Sequence, residues 1–406
     1  MAGSRGVLEG VKVLELGSGA AGPVATRYLV EQGAVVVRIE SSRRPDFLRI
    51  LWLTRDSPHG VDGSPMFILL NPDKLSVAID MSRPEGVALA RRLVLWADVV
   101  AENFAPGPMR KWGLDYENLR KLKPDLVMVS GCLFGQTGPH CRYPGFGGQG
   151  SAISGYNHLT GWPDRPSQGP SHTITDSLSP RYVALAIVGA LLNRHRTGRG
   201  QYIDISQIET GVYSNSEMIV RYSANGEIVT RQGNRCERAA PHGIYPCRGE
   251  DRWIAIAVLS DAEWLALRRV MGEPGWARDA RYESVEGRLA AEPQIDEALV
   301  RWTSAFDAHE LMQMLQEAGV EAGAVQSYAD LLADPQLAHR GHFQTLEHVH
   351  LGKLHFERPG YRLSRSPGAY HAPGPNLGEH TRKVLEELLG MDPQEIDTLA
   401  EAGVLA

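Results

Sequence analysis

The run ITDSLSP at positions 174–180 places one carboxylate, Asp176, among hydroxyl side chains and directly before a long apolar segment. Ser179 and Pro180 are typical of a helix N-cap and a first helical residue. The segment YVALAIVGALL (182–192) is apolar on every face, as in a buried helix. An ionised carboxylate beside such a helix N-terminus would be stabilised there. Taken alone, however, the stretch favours a structural role for Asp176, as an extra cap or an Asx-turn.

A second run with chemical meaning is Gly17-Ser-Gly19-Ala-Ala-Gly22, a full G-x-G-x-x-G between a predicted strand and a predicted helix. Glu40 ends the next strand, close to where a ribose-binding acid belongs in a dinucleotide site. An NAD-binding oxidoreductase is therefore one alternative. Pro23 is not required by a pyrophosphate site, and no hydride-transfer residues follow downstream. The glycines also fit a tight strand-to-helix turn without a ligand.

The sequence offers little sign of a metal site. Cys132, Cys141, Cys236 and Cys247 form no C-x-x-C pair. The pairs His339/His342 and His348/His350 could in principle bind metal, but too few carboxylates and cysteines accompany them, so surface positions are expected for them. We therefore expect no bound metal.

Composition points to an ordinary globular protein. The 406 residues are 43% hydrophobic and 22% charged, with a net charge of −6. This balance argues against nucleic-acid and membrane-surface partners. No apolar signal-peptide core opens the chain, and no run is long enough to span a bilayer, so a cytoplasmic location is expected.

The elements that must position these residues alternate between strands and helices. Strands are predicted at 12–16, 34–40, 74–80, 98–104, 125–131 and 202–206, with helices at 23–33 and 84–97 between them, which indicates a mostly parallel α/β sheet. A Gly/Pro-rich passage at 132–175 is expected to be a long functional loop. We predict a large Rossmann-like domain from 1–224, a smaller α+β domain from 225–320, and a return to the large domain from 321–406.

Several stretches together resemble family III CoA-transferases. They are GVKVLELGSGAAGPVATRYLVEQGAVVVRIE (10–40), KLSVAIDM (74–81), ADVVAENFAPGPMRKWGL (97–114), PDLVMVSGCLFGQTGP (124–139), ALLNRHRTGRGQYIDIS (190–206) and APGPNLGEHTRKVLEELLG (372–390). The likeness runs over nearly the whole chain and is specific in combination. It implies an α/β fold, a Rossmann-like large domain with a smaller domain, and two subunits interlocked like links of a chain. Acyl-CoA and an organic acid would be the substrates, with coenzyme A as the carried group and no tightly bound cofactor.

The resemblance also implies the chemistry of Asp176, which matches the nucleophile of the family. It would attack a donor thioester, form a mixed anhydride, and then carry CoA as an aspartyl thioester. By motif position, Asn103, Phe104 and Lys111 match residues that contact the adenine and phosphates of CoA. Arg43, with Arg44 beside it, is a further phosphate candidate or a solvated loop residue. Phe146 falls where an aromatic residue lies near the reacting carbonyl, or it packs ordinarily, and the glycines of 145–150 could supply oxyanion N–H groups.

Departures from the family pattern bear on specificity. Ala20 stands where the oxalate enzyme has glutamine, which disfavours a small diacid bound in that way. His242 lies in the segment replacing a mobile glycine loop, where it could face the active site, although a solvated histidine or one satisfied in the core is favoured. A racemase of the same fold is the runner-up, but it needs a histidine where this chain has Phe146. The pattern TD-x-x-x-PRY and the stretch 155–166 resemble benzylsuccinate CoA-transferase-type enzymes, which implies succinyl-CoA as donor and an aromatic acid such as benzylsuccinate as acceptor. Some of these enzymes pair two related chains. A homodimer or hetero-oligomer therefore stays open, as does a non-catalytic CoA-binding role.

Overall fold

A six-stranded parallel sheet organises the larger part of the chain in the computed structural model, which describes residues 6–51, 53–54, 56–170 and 173–406. Ser171 and His172, within the predicted loop of 132–175, lie outside the described residues. The strands of this sheet are β1 (Lys12–Leu16), β2 (Val35–Glu40), β3 (Leu75–Ala78), β4 (Val99–Glu102), β5 (Val127–Cys132) and β6 (Gln201–Ser206).

The strand order is β3-β2-β1-β4-β5-β6, and every neighbouring pair is parallel. This is the order of doubly wound dinucleotide-binding folds, and the order reverses between β1 and β4. Ligands of such sheets bind at the carboxyl ends of the strands, at this switch point. The predicted Rossmann-like α/β class is therefore confirmed.

The helices in chain order are α1 (Ala21–Glu31), α2 (Phe47–Ile50), α3 (Pro65–Leu70), α4 (Pro84–Trp96), α5 (Pro108–Lys111), α6 (Tyr116–Leu122), α7 (Gly147–Ile153), α8 (Tyr156–Leu159), α9 (Ile174–Thr197), α10 (Gln207–Ser214), α11 (Ser216–Asn225), α12 (Asp261–Val270), α13 (Val285–Ala290), α14 (Glu292–Thr303), α15 (Ala308–Glu317), α16 (Tyr328–Ala333), α17 (Pro335–His339), α18 (Thr381–Glu387) and α19 (Pro393–Glu401). No helix in the described ranges has both the length and the apolar character needed to cross a membrane.

Alternation along the strands builds two cores, one on each face of the sheet. Val13 and its equivalents on the other strands pack with α1 and α9, while Leu14 and its equivalents pack with α4, α18 and α19. Strands buried on both faces read as continuous apolar runs, which is why these strands are recognisable from the sequence.

The chain divides into two compact units. The first comprises Met1–His158, Gly169–Val229 and His339–Ala406, and the second comprises Leu159–Gln168 and Thr230–Ala338. The second unit contains an antiparallel sheet of β7 (His242–Pro246), β8 (Trp253–Ala257) and β9 (Glu321–Ala324), and its core includes the buried Trp264. The first unit also carries an antiparallel hairpin of β10 (Phe343–His348) and β11 (Gly352–Glu357). Folding domains bounded at 225 and 320 stay a prediction.

The start of α9 differs from the prediction. Ser179 is not its N-cap and Pro180 is not its first residue, because the helix begins at Ile174 with Thr173 as N-cap. Pro180 lies inside the helix and cannot donate the hydrogen bond that residue 180 would give to the Asp176 carbonyl. The prediction of burial on every face was also wrong for the single chain. Val183 and Ile187 are buried, whereas Leu185 and Leu192 are 70% and 62% exposed.

The Gly/Pro-rich passage of 132–175 is not all loop either, because it contains α7 and α8. Glycine is a poor helix former, but α7 packs too closely on α9 for larger side chains. A Cβ on Gly150 would lie 2.5 Å from the Thr175 hydroxyl. The Phe146 amide also donates to Gln149 Oε1 at 2.9 Å, which closes the first turn of α7.

Candidate active site

Two side chains from other parts of the fold hold the turn between β1 and α1. Asn103, directly after β4, accepts a hydrogen bond from the Ser18 amide (3.0 Å) and donates one to the Ser18 carbonyl (2.7 Å). The Asp46 carboxylate accepts from the Gly19 amide at 3.0 and 3.1 Å. At Gly17, φ is 138° and a Cβ would lie 1.9 Å from Asn103 Oδ1, so only glycine fits. Glycine at position 17 therefore allows the Asn103 side chain to approach the backbone of the turn closely.

The surroundings of Glu40 argue against a dinucleotide site. This carboxylate, which would have to bind a ribose, is 7% exposed. It accepts hydrogen bonds from Arg38 Nε (3.0 Å) and Arg49 Nε (2.7 Å). Its oxygens are therefore committed to buried ion pairs rather than turned to a ligand.

A buried network of ion pairs stabilises the turn between β1 and α1. Arg38 makes ion pairs with Glu15, Glu40 and Asp46, and Lys74 Nζ lies 2.8 Å from Glu15 Oε2. Burial alone would raise the pKa of Glu15, but Lys74 and Arg38 outweigh it and lower this pKa to about 2. Glu15 is therefore ionised at neutral pH. The network fixes Asp46, and through it the Gly19 amide.

Asp176 lies in the first turn of α9, where a negative charge is stabilised by the helix dipole. Its Oδ1 accepts a hydrogen bond from Gln207 Nε2 at 3.1 Å. A Cβ on Gly147 would lie 2.2 Å from its Oδ2, so the backbone at the start of α7 is packed directly against the carboxylate. Burial raises the pKa of Asp176, while hydrogen bonds from Thr173 and Gln207 act in the opposite direction. The result is a half-buried carboxylate with more basicity than an exposed aspartate.

An aromatic pair links Asp176 to the β1–α1 turn. The rings of Phe146 and Phe47 lie 5.5 Å apart at 59°. Phe47 in turn lies against Gly19, where a Cβ would be 2.5 Å from its Cε1. Phe146 is 66% exposed and directly precedes Gly147. Phe146 thus directly precedes the glycine that lies against Asp176, and Phe47 contacts its ring. A place for Phe146 beside the reacting carbonyl stays a prediction.

The other predicted site residues lie around the carboxyl edge of the sheet. Phe104 packs edge-on against Trp112, with ring centroids 5.6 Å apart, and its amide donates to Glu102. Lys111 is exposed at the end of α5. Arg43 is 58% exposed and lies 3.3 Å from Asp80, while Arg44 is exposed beside it. Contact of Asn103, Phe104, Lys111 or Arg43 with CoA stays a prediction.

Two histidine expectations have different outcomes. His242 Nδ1 lies 2.6 Å from the Asn234 carbonyl oxygen within the second unit, so this nitrogen is engaged. His348 is only 3% exposed, so the expectation of a surface position was wrong for it. The ring lies at the end of β10, and its Nδ1 accepts a hydrogen bond from the His350 amide.

Sequence reasoning missed Gln207 and Phe47. Gln207 is the first residue after β6 and lies 31 positions from Asp176, so nothing local links the two. The available signal was topological, because residues that directly follow parallel strands meet at one edge of the sheet. Phe47 follows an aspartate in a charged loop and gave no comparable signal.

Comparison with known proteins identifies the family to which this chain belongs. The family model described as CoA-transferase family III matches residues 8–381. A succinyl-CoA–D-citramalate CoA-transferase of Chloroflexus aurantiacus is 35% identical over 399 residues, covering 98% of both chains. The alpha subunit of a succinyl-CoA–L-malate CoA-transferase from Chloroflexus aurantiacus is 33% identical, covering 98% of this chain and 92% of that one. The crystal structure of a CAIB/BAIF family protein from Brucella suis superposes with a TM-score of 0.86 at 31% identity, covering 95% of this chain and all of that one.

Proposed function

The chain belongs to CoA-transferase family III, and from that premise we propose that it moves coenzyme A from succinyl-CoA to a dicarboxylic acid, with Asp176 as the covalent carrier. The observation that carries the proposal is the setting of Asp176. Its carboxylate is half-buried at a helix N-terminus, held by Gln207 on one oxygen and packed against glycine backbone at the other. The absence of a side chain at Gly147 is what lets the backbone lie this close to the carboxylate.

The relatives support the choice of donor and acceptor class. Both are named for succinyl-CoA, and their acceptors, D-citramalate and L-malate, are dicarboxylic acids. Benzylsuccinate, suggested by the TD-x-x-x-PRY pattern, is a substituted succinate and falls in the same chemical class. We therefore propose a substituted succinate or similar diacid as acceptor.

The proposed reaction keeps the thioester energy in covalent form. An Asp176 oxygen attacks the donor thioester carbon, and CoA thiolate leaves as the mixed anhydride forms. The thiolate then attacks the aspartyl carbonyl carbon and expels succinate, which leaves aspartyl-CoA thioester. The acceptor carboxylate attacks the same carbon and expels thiolate, and the thiolate finally attacks the acceptor acyl carbon to release the new acyl-CoA and free Asp176.

Each intermediate must be protected from water, since hydrolysis would waste the donor. The Phe146–Phe47 pair supports this requirement, because it places apolar surface beside Gly147 and Asp176. Glycine backbone of 145–150 is the proposed source of donors to the substrate oxyanion. Burial raises the pKa of Asp176, which gives its carboxylate more basicity than that of an exposed aspartate and suits a nucleophile.

For CoA itself we propose contacts along the carboxyl edge of the sheet. Lys111 and Arg43 are exposed cations there and suit phosphate groups. Phe104 offers a ring edge for the adenine. Asn103 is proposed to act mainly through Ser18, since its amide already ties the β1–α1 turn.

We also propose that the active form is the interlocked dimer implied by the family, either of identical chains or with a related chain. Apolar side chains exposed on α9, α10 and α11 support this, because exposed apolar side chains grouped on neighbouring elements often mark protein–protein interfaces. They are Leu185, Leu192, Tyr213, Val220 and Tyr222. A cytosolic location is proposed as well, since the four cysteines are all free.

The test is a transfer assay with succinyl-CoA and a panel of diacids, including malate, citramalate, glutarate and benzylsuccinate. Product acyl-CoA is measured for the wild type and for Asp176→Asn, which keeps the side-chain shape but removes the nucleophile. Transfer to at least one diacid that is lost in the variant is expected. Racemisation of a 2-methylacyl-CoA by a chain that transfers to no acid would contradict the proposal and favour the racemase alternative.

A further inference from the structure

Gln207 occupies a rigid position at the carboxyl end of β6. It is the first residue of α10, and Ser206 caps this helix by accepting from the Glu209 amide. Ser206 also donates to the Leu133 carbonyl at 3.1 Å, and Thr210 donates to the Gln207 carbonyl at 2.8 Å. Gln207 is 6% exposed. A side chain fixed in this way can hold a precise geometry toward α9.

The two oxygens of Asp176 have different surroundings. Oδ1 accepts from Gln207 Nε2 at 3.1 Å, while Oδ2 is the oxygen nearer the backbone of Gly147. The orientation of the Gln207 amide follows from chemistry, because an ionised carboxylate only accepts hydrogen bonds and so requires the NH₂ group. Oδ1 therefore has the Gln207 donor, whereas Oδ2 lies against the Gly147 backbone, and Thr173 also donates a hydrogen bond to this carboxylate.

We propose that Gln207 is a catalytic residue whose amide stabilises the oxyanion that develops on Asp176 Oδ1 when the aspartyl carbonyl is attacked. This inference rests on the proposed function, since it requires Asp176 to be acylated. If Gln207 has this role, Oδ2 is the attacking oxygen and becomes the bridging oxygen of the anhydride. Oδ1 becomes the carbonyl oxygen of both the anhydride and the thioester, with the Gln207 donor already in place.

The roles of Gln207 then differ between steps. When Oδ2 attacks the donor thioester, negative charge develops on the donor carbonyl oxygen, away from Gln207. When CoA thiolate attacks the aspartyl carbon, the charge develops on Oδ1, and collapse expels succinate with Oδ2. Attack of the acceptor carboxylate on aspartyl-CoA again places the charge on Oδ1 and expels thiolate. Gln207 thus assists the two middle steps and not the first or the last.

The size of the effect follows from other oxyanion donors. Removal of one side-chain donor typically slows the step that it serves by about 10²–10³-fold. Loss of Gln207 should therefore slow formation of the CoA adduct by that factor, while formation of the succinyl anhydride changes much less. A variant blocked in this way accumulates enzyme carrying a succinyl group in place of enzyme carrying CoA.

The experiment is rapid-quench intact-protein mass spectrometry after mixing with succinyl-CoA, on wild type and Gln207→Met. Methionine keeps the length of the side chain and removes the donor. Gln201→Met, the same change at the exposed first residue of β6, is the matched control. We expect CoA adduct on wild type and control, and a succinyl adduct with about 10²-fold slower CoA adduct on Gln207→Met.

Other outcomes distinguish the proposed role of Gln207 from the proposed covalent function of Asp176. CoA adduct at the wild-type rate on Gln207→Met would overturn the role of Gln207, and so would equal slowing of both adducts, which indicates general misplacement of Asp176. Absence of any adduct on the wild type would instead overturn the proposed covalent function.

Gln207→Glu provides a second test that does not depend on the folding of the methionine variant. Two adjacent carboxyl groups share one proton below the upper pKa of the pair, and the protonated one can donate to the other. The glutamate variant should therefore be inactive at high pH and regain transfer as pH falls. Absence of recovery at low pH would contradict the need for a hydrogen-bond donor at position 207, and the adduct measurement separates stabilisation of the oxyanion from positioning of Asp176.

Discussion

The contact between Gly147 and Asp176 is the tightest feature at the scale of single residues. A Cβ at position 147 would lie 2.2 Å from Oδ2, 2.5 Å from the carboxyl carbon and 2.8 Å from Oδ1. Neither the helix α7 nor the carboxylate can occupy its present position with any larger residue there. The glycine therefore fixes where the carboxylate lies.

Gly147→Ala is expected to lower the rate of CoA transfer by about 10²-fold or more, because a displacement of about 1 Å at a reacting group has that effect. Steady-state kcat is the measurement. Gly275→Ala serves as control, since a Cβ there meets nothing within 4 Å. Wild-type kcat for Gly147→Ala would show that the carboxylate does not act from this position.

A single site residue could be predicted from the sequence only where it falls within a local pattern or a family motif. Asp176 and Phe146 could be chosen because they fall within recognisable family patterns. Gln207 could not, because its role depends on the meeting of β6 and α9, which only the assembled sheet reveals. The glycines of the first turn were recognised but their purpose was not. At Gly17 that purpose is to admit Asn103 rather than a pyrophosphate.

At the scale of elements, α9 carries an irregularity at the proposed catalytic residue. Pro180 has no N–H, so the hydrogen bond expected at the Asp176 carbonyl is missing from the first part of the helix. This leaves the backbone of Asp176 less constrained than that of an ordinary helical residue. Its side chain can therefore face Gly147 and Gln207.

Pro180→Ala is expected to lower transfer by about 10-fold or more while changing the free energy of unfolding by about 1 kcal/mol or less. Removing an interior proline gains about 3 kcal/mol. Loss of two buried methylene groups costs about 1.6 kcal/mol, and a more flexible unfolded chain costs about 0.7 kcal/mol. Activity falls because the restored hydrogen bond turns Asp176.

Thermal unfolding and kcat measured on the same samples test this expectation. Pro393→Ala, at the first turn of α19 where proline blocks no helical hydrogen bond, is the control. Full transfer activity in Pro180→Ala would contradict a role for the irregular start of α9.

Strands and helices were predicted correctly where burial leaves an apolar pattern in the sequence. The predictions failed where tertiary packing overrides the helix propensity of the residues. The parallel strands β1 to β5 are recognisable because both of their faces are largely covered, whereas the edge strand β6 is mostly uncovered and falls within a family motif. The helix α7 was missed because its glycines argue against a helix, and only its packing on Thr175 and Asp176 explains them. The start of α9 was placed too late because Ser179-Pro180 is a common N-terminal pair, although here the helix continues through it.

At the scale of the whole molecule, buried carboxyl groups make stability depend on pH. Burial raises the pKa of Glu102 to about 7, although Ser130 and the Phe104 amide partly oppose it. Burial likewise raises the pKa of Glu31 to about 7. The folded state holds these protons to higher pH than the unfolded chain does. Their contribution to stability is therefore complete below about pH 4.3 and is lost as pH rises toward 7.

Glu102→Gln should remove the loss of folding stability that ionisation of Glu102 causes at higher pH, because the amide stays neutral and has nearly the same shape as the protonated carboxyl group. The free energy of unfolding of the variant is expected to equal that of wild type near pH 4.5 and to exceed it by up to about 3 kcal/mol at pH 8. Urea unfolding at several pH values is the measurement, with the exposed Glu401→Gln as control. Parallel curves for Glu102→Gln and wild type would contradict the elevated pKa.

The fold class of the whole molecule was predictable because strand alternation and family motifs agree along the chain. Less could be said of the second unit, since its Leu159–Gln168 segment is separated in sequence from the rest by about 60 residues. Its sheet also joins strands about 70 residues apart in β8 and β9. Such long-range pairing leaves no periodic signal in a single sequence.

The most direct test of the central claim is intact-protein mass spectrometry after equilibration with succinyl-CoA, on wild type and Asp176→Ala. If Asp176 is the covalent carrier, wild type acquires a CoA-sized adduct that hydroxylamine removes and that a suitable diacid discharges as acyl-CoA. Asp176→Ala never acquires this adduct. A CoA adduct of equal amount on Asp176→Ala, or active transfer by wild type with no adduct at any time, would contradict the assignment of Asp176 as covalent carrier.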